Sequence, residues 1–191
     1  MNKIWKYLDI ENFQAIGDQM YDFVVNQTDI LKPIEPTFFT DLDIQHTLYH
    51  VPLLKKFLDN QFLMPTKLSI IVVPAKSKPY LHVDTEDAFV RILWPVKNCA
   101  GSRTKFYDIP REYLKLRNYP DGVIYYDIIE QREWEYLDEF ELVSPLVFDA
   151  STAHEVHPVP NLSEHRISFS IGFDRDLPIS KSVKAWFGFQ R

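Results

Sequence analysis

Apolar residues recur every three to four positions in "DIENFQAIGDQMYDFVV", where Phe13, Ile16, Met20, Phe23 and Val24 form one stripe. That spacing predicts an amphipathic helix, with Asp9 as its cap. A proline-rich loop, "LKPIEPTFF", follows, and then "HVPLLKKFLDNQFL" sets Leu54, Phe57, Leu58 and Phe62 on a second helical stripe. From Lys67 the pattern changes. "KLSIIVVP" and "AFVRILWPV" are continuous apolar runs, and "TKFYD", "DGVIYYD", "FELVSPLVFD" and "HRISFSIGFD" follow between turn residues. Strands at short spacing with no intervening helices predict an antiparallel sandwich or jelly roll rather than a parallel sheet. No repeat or linker divides the chain. The expectation is a mainly β single domain: residues 1–66 as a helical support packed on a β core of residues 67–191.

The run "RISFSIGF" carries more than a strand signal. Ile167, Phe169, Ile171 and Phe173 alternate with Arg166, Ser168, Ser170 and Gly172, so one face is wholly apolar and the other small and polar. The apolar face must meet packed core. Small hydroxyls and a glycine beside one arginine suit the wall of a cavity, the alternative being a solvent-facing edge.

Composition narrows the class. With 46% hydrophobic and 25% charged residues the chain is ordinary globular protein, and five glycines against thirteen prolines argue against glycine-rich phosphate loops. A formal charge of -6 gives no broad basic footprint, which disfavours nucleic acid and anionic membrane as partners. The lone cysteine, Cys99, excludes an intramolecular disulfide and fits a reducing compartment. Neither the N-terminus nor any later run has the apolar stretch of a signal peptide or membrane span, so a soluble cytoplasmic protein is expected. Oligomeric state leaves no trace in the sequence.

The chemistry begins at "HVDTEDAFVRILWPV". In an extended chain His82 and Asp84 point the same way, and an imidazole beside a carboxylate is half a metal site. A third ligand can come from "FDASTAHEVHPVP". There His154 and His157 face opposite ways, so only one of them can join. Two imidazoles and one carboxylate on one side of a metal leave the opposite positions open, the arrangement suited to non-haem Fe(II). Closed structural zinc fits poorly with a single thiol, whereas catalytic zinc is compatible with the ligand types. Arg91 shares a face with Phe89 and Leu93, where it either reaches substrate or balances a buried carboxylate.

Taken together, His82-x-Asp84, "LVFDASTAHEVHPV" and "RISFSIGF" resemble the 2-oxoglutarate and Fe(II)-dependent oxygenase superfamily, whose core is a double-stranded β-helix, a cupin-like jelly roll. "RILWPVKNCAGSRTKFY" is similar to the strand and turn after the first ligands in small bacterial and phage members, some related to the aspartyl/asparaginyl β-hydroxylases. The resemblance covers roughly residues 67–175. It implies a dioxygenase with Fe(II) held by His82, Asp84 and His154 rather than His157, with 2-oxoglutarate and O2 as cosubstrates and ascorbate as an assisting reductant. It also implies that Arg166 and Ser168 hold the far carboxylate of 2-oxoglutarate; a planar guanidinium grips a carboxylate bidentately, and a hydroxyl adds a neutral donor. Thr104 and Tyr107, in the matched strand, either line the cosubstrate pocket or pack. The step from His154 to Arg166 is long, because "PNLSEH" inserts a turn.

The implied reaction is hydroxylation of an amino-acid residue or small metabolite, aspartyl or asparaginyl groups being the first choice. Two other classes stay open, a non-catalytic cupin-like binding protein and a zinc-dependent enzyme of the same fold. The acidic run "EQREWEYLDEFE" is expected to form a hairpin with a solvated face, a substrate flap being the alternative. His46 and His50 precede a helix and receive no role.

Overall fold

The alternation that begins at Lys67 folds into strands, and the N-terminal stripes fold into helices. The computed structural model describes residues 4–26, 38–74, 77–84, 90–118, 124–158 and 164–173. Among them the chain runs through β1 (Trp5–Tyr7), α1 (Phe13–Asn26), β2 (Phe38–Leu42), α2 (Ile44–His50), α3 (Pro52–Asn60) and β3 (Lys67–Val73). It continues with β4 (His82–Asp84), β5 (Val90–Lys97), β6 (Arg103–Asp108), a short 3₁₀ helix (Arg111–Tyr113), β7 (Leu114–Asn118) and β8 (Ile124–Ile128). β9 (Glu135–Glu141), β10 (Leu146–Asp149), β11 (Ala153–His157) and β12 (Arg166–Phe173) complete it. Two six-stranded antiparallel sheets result, ordered β1-β10-β5-β12-β3-β2 and β7-β8-β4-β11-β6-β9.

Two apolar layers hold these elements. The helices cover one face of the first sheet, where Met20, Val24, Leu54 and Leu58 pack with Ile92, Trp94, Phe169 and Ile171. α1 approaches β5 so closely that a Cβ at Gly17 would lie 3.1 Å from the Pro95 carbonyl oxygen. The Trp94 indole N–H donates to the Phe13 carbonyl at 3.2 Å, which satisfies a polar atom inside this layer. The second layer lies between the sheets, where Leu93, Leu146 and Phe148 meet Phe106 and Phe140. Pro95 sits in a central strand although proline cannot donate to a ladder. It is tolerated because β10 pairs with β5 only as far as Leu93, and on the other side the β5–β12 register shifts between Ile167 and Ser168.

Several expectations change. The N-terminal segment is more than a helical support, since β1 and β2 form both edges of the first sheet. β1 has three residues, too few for periodicity, and β2 begins at Phe38, within the run read as a proline-rich loop, the rest of which lies outside the described residues. α1 starts after Asn12, at φ 58°, so Asp9 lies upstream of any capping position. The second stripe holds in α3 through Leu54, Phe57 and Leu58, with α2 a separate short helix before it, but Phe62 lies beyond the helix end, at φ 54° and exposed. Asp43 caps α2 by accepting from the His46 amide at 2.6 Å, and Pro52 opens α3 where its missing N–H costs nothing. His46 and His50 therefore lie within a helix. The acidic run is not a hairpin: β9 pairs with β6 at the far edge of the sheet from β8. The hairpin is β7–β8 instead, and β7 carries too few apolar residues to announce itself. No helix among the described residues is long and apolar enough to cross a membrane.

Candidate active site

Register brings the two histidines together. β4 is only three residues long and pairs with β8 on one side and β11 on the other. Its contact with β11 sets His82 directly opposite His154, so the imidazoles share a face with ring centroids 4.5 Å apart. Asp84, two residues on, projects the same way. One ligand atom from each of His82, Asp84 and His154 lies within 4.8 Å of the others, the one group of this kind among the described residues. His157 is turned to the opposite face, where it bonds Glu155 at 2.8 Å.

Both imidazoles are oriented for ligation. His82 Nδ1 lies 3.0 Å from the Tyr80 carbonyl oxygen, and His154 Nδ1 lies 2.8 Å from that of Thr152. A carbonyl only accepts, so each Nδ1 carries the proton and each Nε2 presents a lone pair. The His82 Nε2 stands 3.5 Å from an oxygen of Asp84. Burial, and then the neighbouring His82, hold the His154 pKa down to about 4, so its ring is neutral at physiological pH. Burial opposes ionisation of Asp84, but the Arg91 guanidinium and the two histidines outweigh it and hold the carboxyl well below its usual range.

Arg91 lies beside Asp84. Its Nε is 2.9 Å from the second Asp84 oxygen, as an ion pair without the alignment of a hydrogen bond, and its Nη1 donates to Ser170 at 3.2 Å. It thus balances the buried carboxylate and ties it to β12. Phe89, expected on the same face, lies outside the described residues.

The opposite wall is the polar face of β12. Arg166, Ser168 and Ser170 are all buried, while Ile167, Phe169, Ile171 and Phe173 face the helices. Arg166 Nε donates to Ser102 Oγ at 2.9 Å. Its Nη1 and Nη2 are buried without partners, and so is Ser168 Oγ. Burial pulls the Arg166 pKa down and the nearby Cys99 pulls it up; no acidic side chain contributes. These are donors waiting for an acceptor.

The remaining candidates separate by face. Thr104 is buried opposite Val156, on the side of His154. Tyr107 points the other way, and its hydroxyl donates to Glu155 at 2.6 Å, so it is not brought to the histidines. The residues after Pro158 that make the His154-to-Arg166 step long, 159–163, lie outside the described residues. Sequence reasoning missed Ser102, buried and bonded to Arg166, and the aromatic surround of the two histidines. Tyr80 stacks on His82 at 5.6 Å, Tyr125 meets it at 5.4 Å, and Phe148 packs edge-on against His154 at 5.5 Å. Only the alternation of β8 hinted at Tyr125, whose strand position faces Asp84.

No protein-family model matches the chain, and no curated protein does. Solved structures do resemble it. A Pseudomonas putida prolyl-4-hydroxylase aligns over 91% of this chain and 93% of its own at 14% identity, with a TM-score of 0.51. A prolyl hydroxylase from Trichoplax adhaerens, solved in complex with a hypoxia-inducible-factor oxygen degradation domain peptide, aligns over 93% of this chain and 86% of its own at 13% identity, with a TM-score of 0.53. At these identities the likeness is one of fold.

Proposed function

We propose that the protein is a 2-oxoglutarate- and Fe(II)-dependent oxygenase with a double-stranded β-helix (jelly-roll) core, hydroxylating an amino-acid residue or a small metabolite. The observation that carries this reading is Arg166, a buried cation with two unpartnered Nη groups beside an unpartnered Ser168 hydroxyl. Burying such a charge costs roughly several kcal/mol unless an anion meets it. A carboxylate is the planar, two-oxygen acceptor that fits. Farther along the same face, Ser170 is bonded through Arg91 to Asp84, so one polar strand face runs from the unpartnered guanidinium toward the His82, Asp84 and His154 cluster. A molecule with a carboxylate at one end and a metal-chelating 2-oxo acid at the other suits that arrangement.

The donor set fits a metal with open positions: two imidazoles, each with Nδ1 held by a backbone carbonyl so that Nε2 is the ligand atom, and one ionised carboxylate. Bound there, Fe(II) would supply the redox chemistry by which O2 oxidises 2-oxoglutarate to succinate and CO2 and a substrate C–H bond to an alcohol. The chain's own residues do the rest. His82, Asp84 and His154 hold the ion, Arg91 keeps Asp84 charged, Arg166 and Ser168 anchor the far carboxylate, and Phe106 and Phe148 pack beside His154. That the Trichoplax structure holds a peptide supports a peptidyl substrate for this chain as well.

Purified protein supplied with Fe(II), ascorbate and air is expected to form succinate from 2-oxoglutarate, slowly without its prime substrate. Asp84→Ala and His154→Ala should nearly abolish this, and His157→Ala should not. Loss with His157→Ala but not His154→Ala would reassign the distal ligand. No turnover, together with no 2-oxoglutarate binding to metal-loaded protein, would leave a non-catalytic cupin-like binding protein.

A further inference from the structure

The turn joining β5 to β6 grips the first residues of β12 one after another. Asn98 Nδ2 donates to the His165 carbonyl at 3.0 Å, and the Cys99 thiol donates to the Ile167 carbonyl at 3.0 Å. Between them, Ser102 Oγ accepts from Arg166 Nε at 2.9 Å. The serine is itself fixed. Its amide donates to the Cys99 carbonyl at 3.1 Å across a tight turn whose third residue, Gly101, has φ 80°, a conformation that favours glycine. The Leu142 amide closes on the Ser102 carbonyl at 3.4 Å, and Ser102 is almost wholly buried.

A guanidinium can meet a carboxylate through its Nε and one Nη, or through both Nη groups. Here Ser102 occupies Nε, so only the Nη1/Nη2 edge is left, and both of those groups are buried and unpartnered. We propose that Ser102 is the positioning residue of Arg166, and that the Cys99–Ser102 turn commits this arginine to an end-on grip on the cosubstrate carboxylate. The inference rests on the reading of Arg166 as carboxylate anchor.

The test is calorimetric titration of 2-oxoglutarate into Mn(II)-loaded protein, with Mn(II) affinity measured separately. Ser102→Ala should weaken 2-oxoglutarate binding about 10-fold, the scale of one hydrogen bond to a charged group, with Mn(II) affinity unchanged. Ser102→Thr, which keeps the hydroxyl, should restore it. Gly101→Val, which strains the turn without removing the hydroxyl, should shift binding in the same direction as Ser102→Ala. In turnover the KM for 2-oxoglutarate should rise with little change in kcat. Arg166→Met separates the two possible failures. If Arg166→Met abolishes binding while Ser102→Ala leaves it intact, the positioning role is wrong and the anchor stands. If Arg166→Met binds 2-oxoglutarate as the parent does, the anchor itself is wrong and the inference falls with it.

Discussion

His154 has the most consequential environment of any single residue described. Burial and the neighbouring His82 hold its pKa to about 4, against about 6.5 for an unperturbed histidine. Between those values the unfolded chain takes up a proton that the folded apo-protein refuses. Stability present above about pH 6.5 is therefore lost as pH falls toward 4. Asp84 is depressed too, and its contribution starts to be lost as pH falls into the ordinary carboxylate range, where the unfolded chain takes up the proton first. The urea midpoint of the metal-free protein should accordingly fall between pH 7 and pH 4.5, and His154→Gln should flatten that fall. An equally steep fall in His154→Gln would assign it to other groups. The choice of His154 over His157 was open to alternation, which showed that only one could join His82. Alternation could not say which of the two faces His82.

At the scale of elements, the site is a matter of pairing. β4 is too short to persist alone, and it exists because β8 and β11 flank it. β12 divides the molecule: its apolar face anchors the helical layer and its polar face lines the site, a division legible in "RISFSIGF" because the period of a strand is two. The approach of α1 to β5 gives a check on this layer. Valine at position 17 would drive a branched side chain into the Pro95 carbonyl, 3.1 Å from the Cβ position. Gly17→Val should destabilise by about 1–3 kcal/mol, measured from the denaturant midpoint. An unchanged midpoint would mean that α1 shifts outward freely. The acidic run misled because a strand between two turns looks the same whether its partner precedes it or lies across the sheet. Here β9 crosses to β6.

For the whole molecule, ligand and fold stability should be linked. Metal at 100 times its Kd adds about 2.7 kcal/mol, and 2-oxoglutarate bound at the same ratio adds about as much again. For a chain of this size each step corresponds to roughly 5–10 °C in Tm. Differential scanning calorimetry should show a rise with metal and a further rise with 2-oxoglutarate, both missing in Asp84→Ala. A 2-oxoglutarate shift that survives without metal would separate the two sites. The sequence by itself determined what depends on neighbours along the chain. It determined the helical stripes, most of the strands, the common direction of His82 and Asp84, and the common face of Arg166, Ser168 and Ser170. Tertiary structure decided what depends on partners far apart in sequence. It set His154 opposite His82, brought Arg91 to Asp84 and Ser102 to Arg166, and turned Tyr107 away toward Glu155. Periodicity fixes the direction of a side chain relative to its own strand, whereas register and sheet order, which fix what it meets, are set by long-range packing.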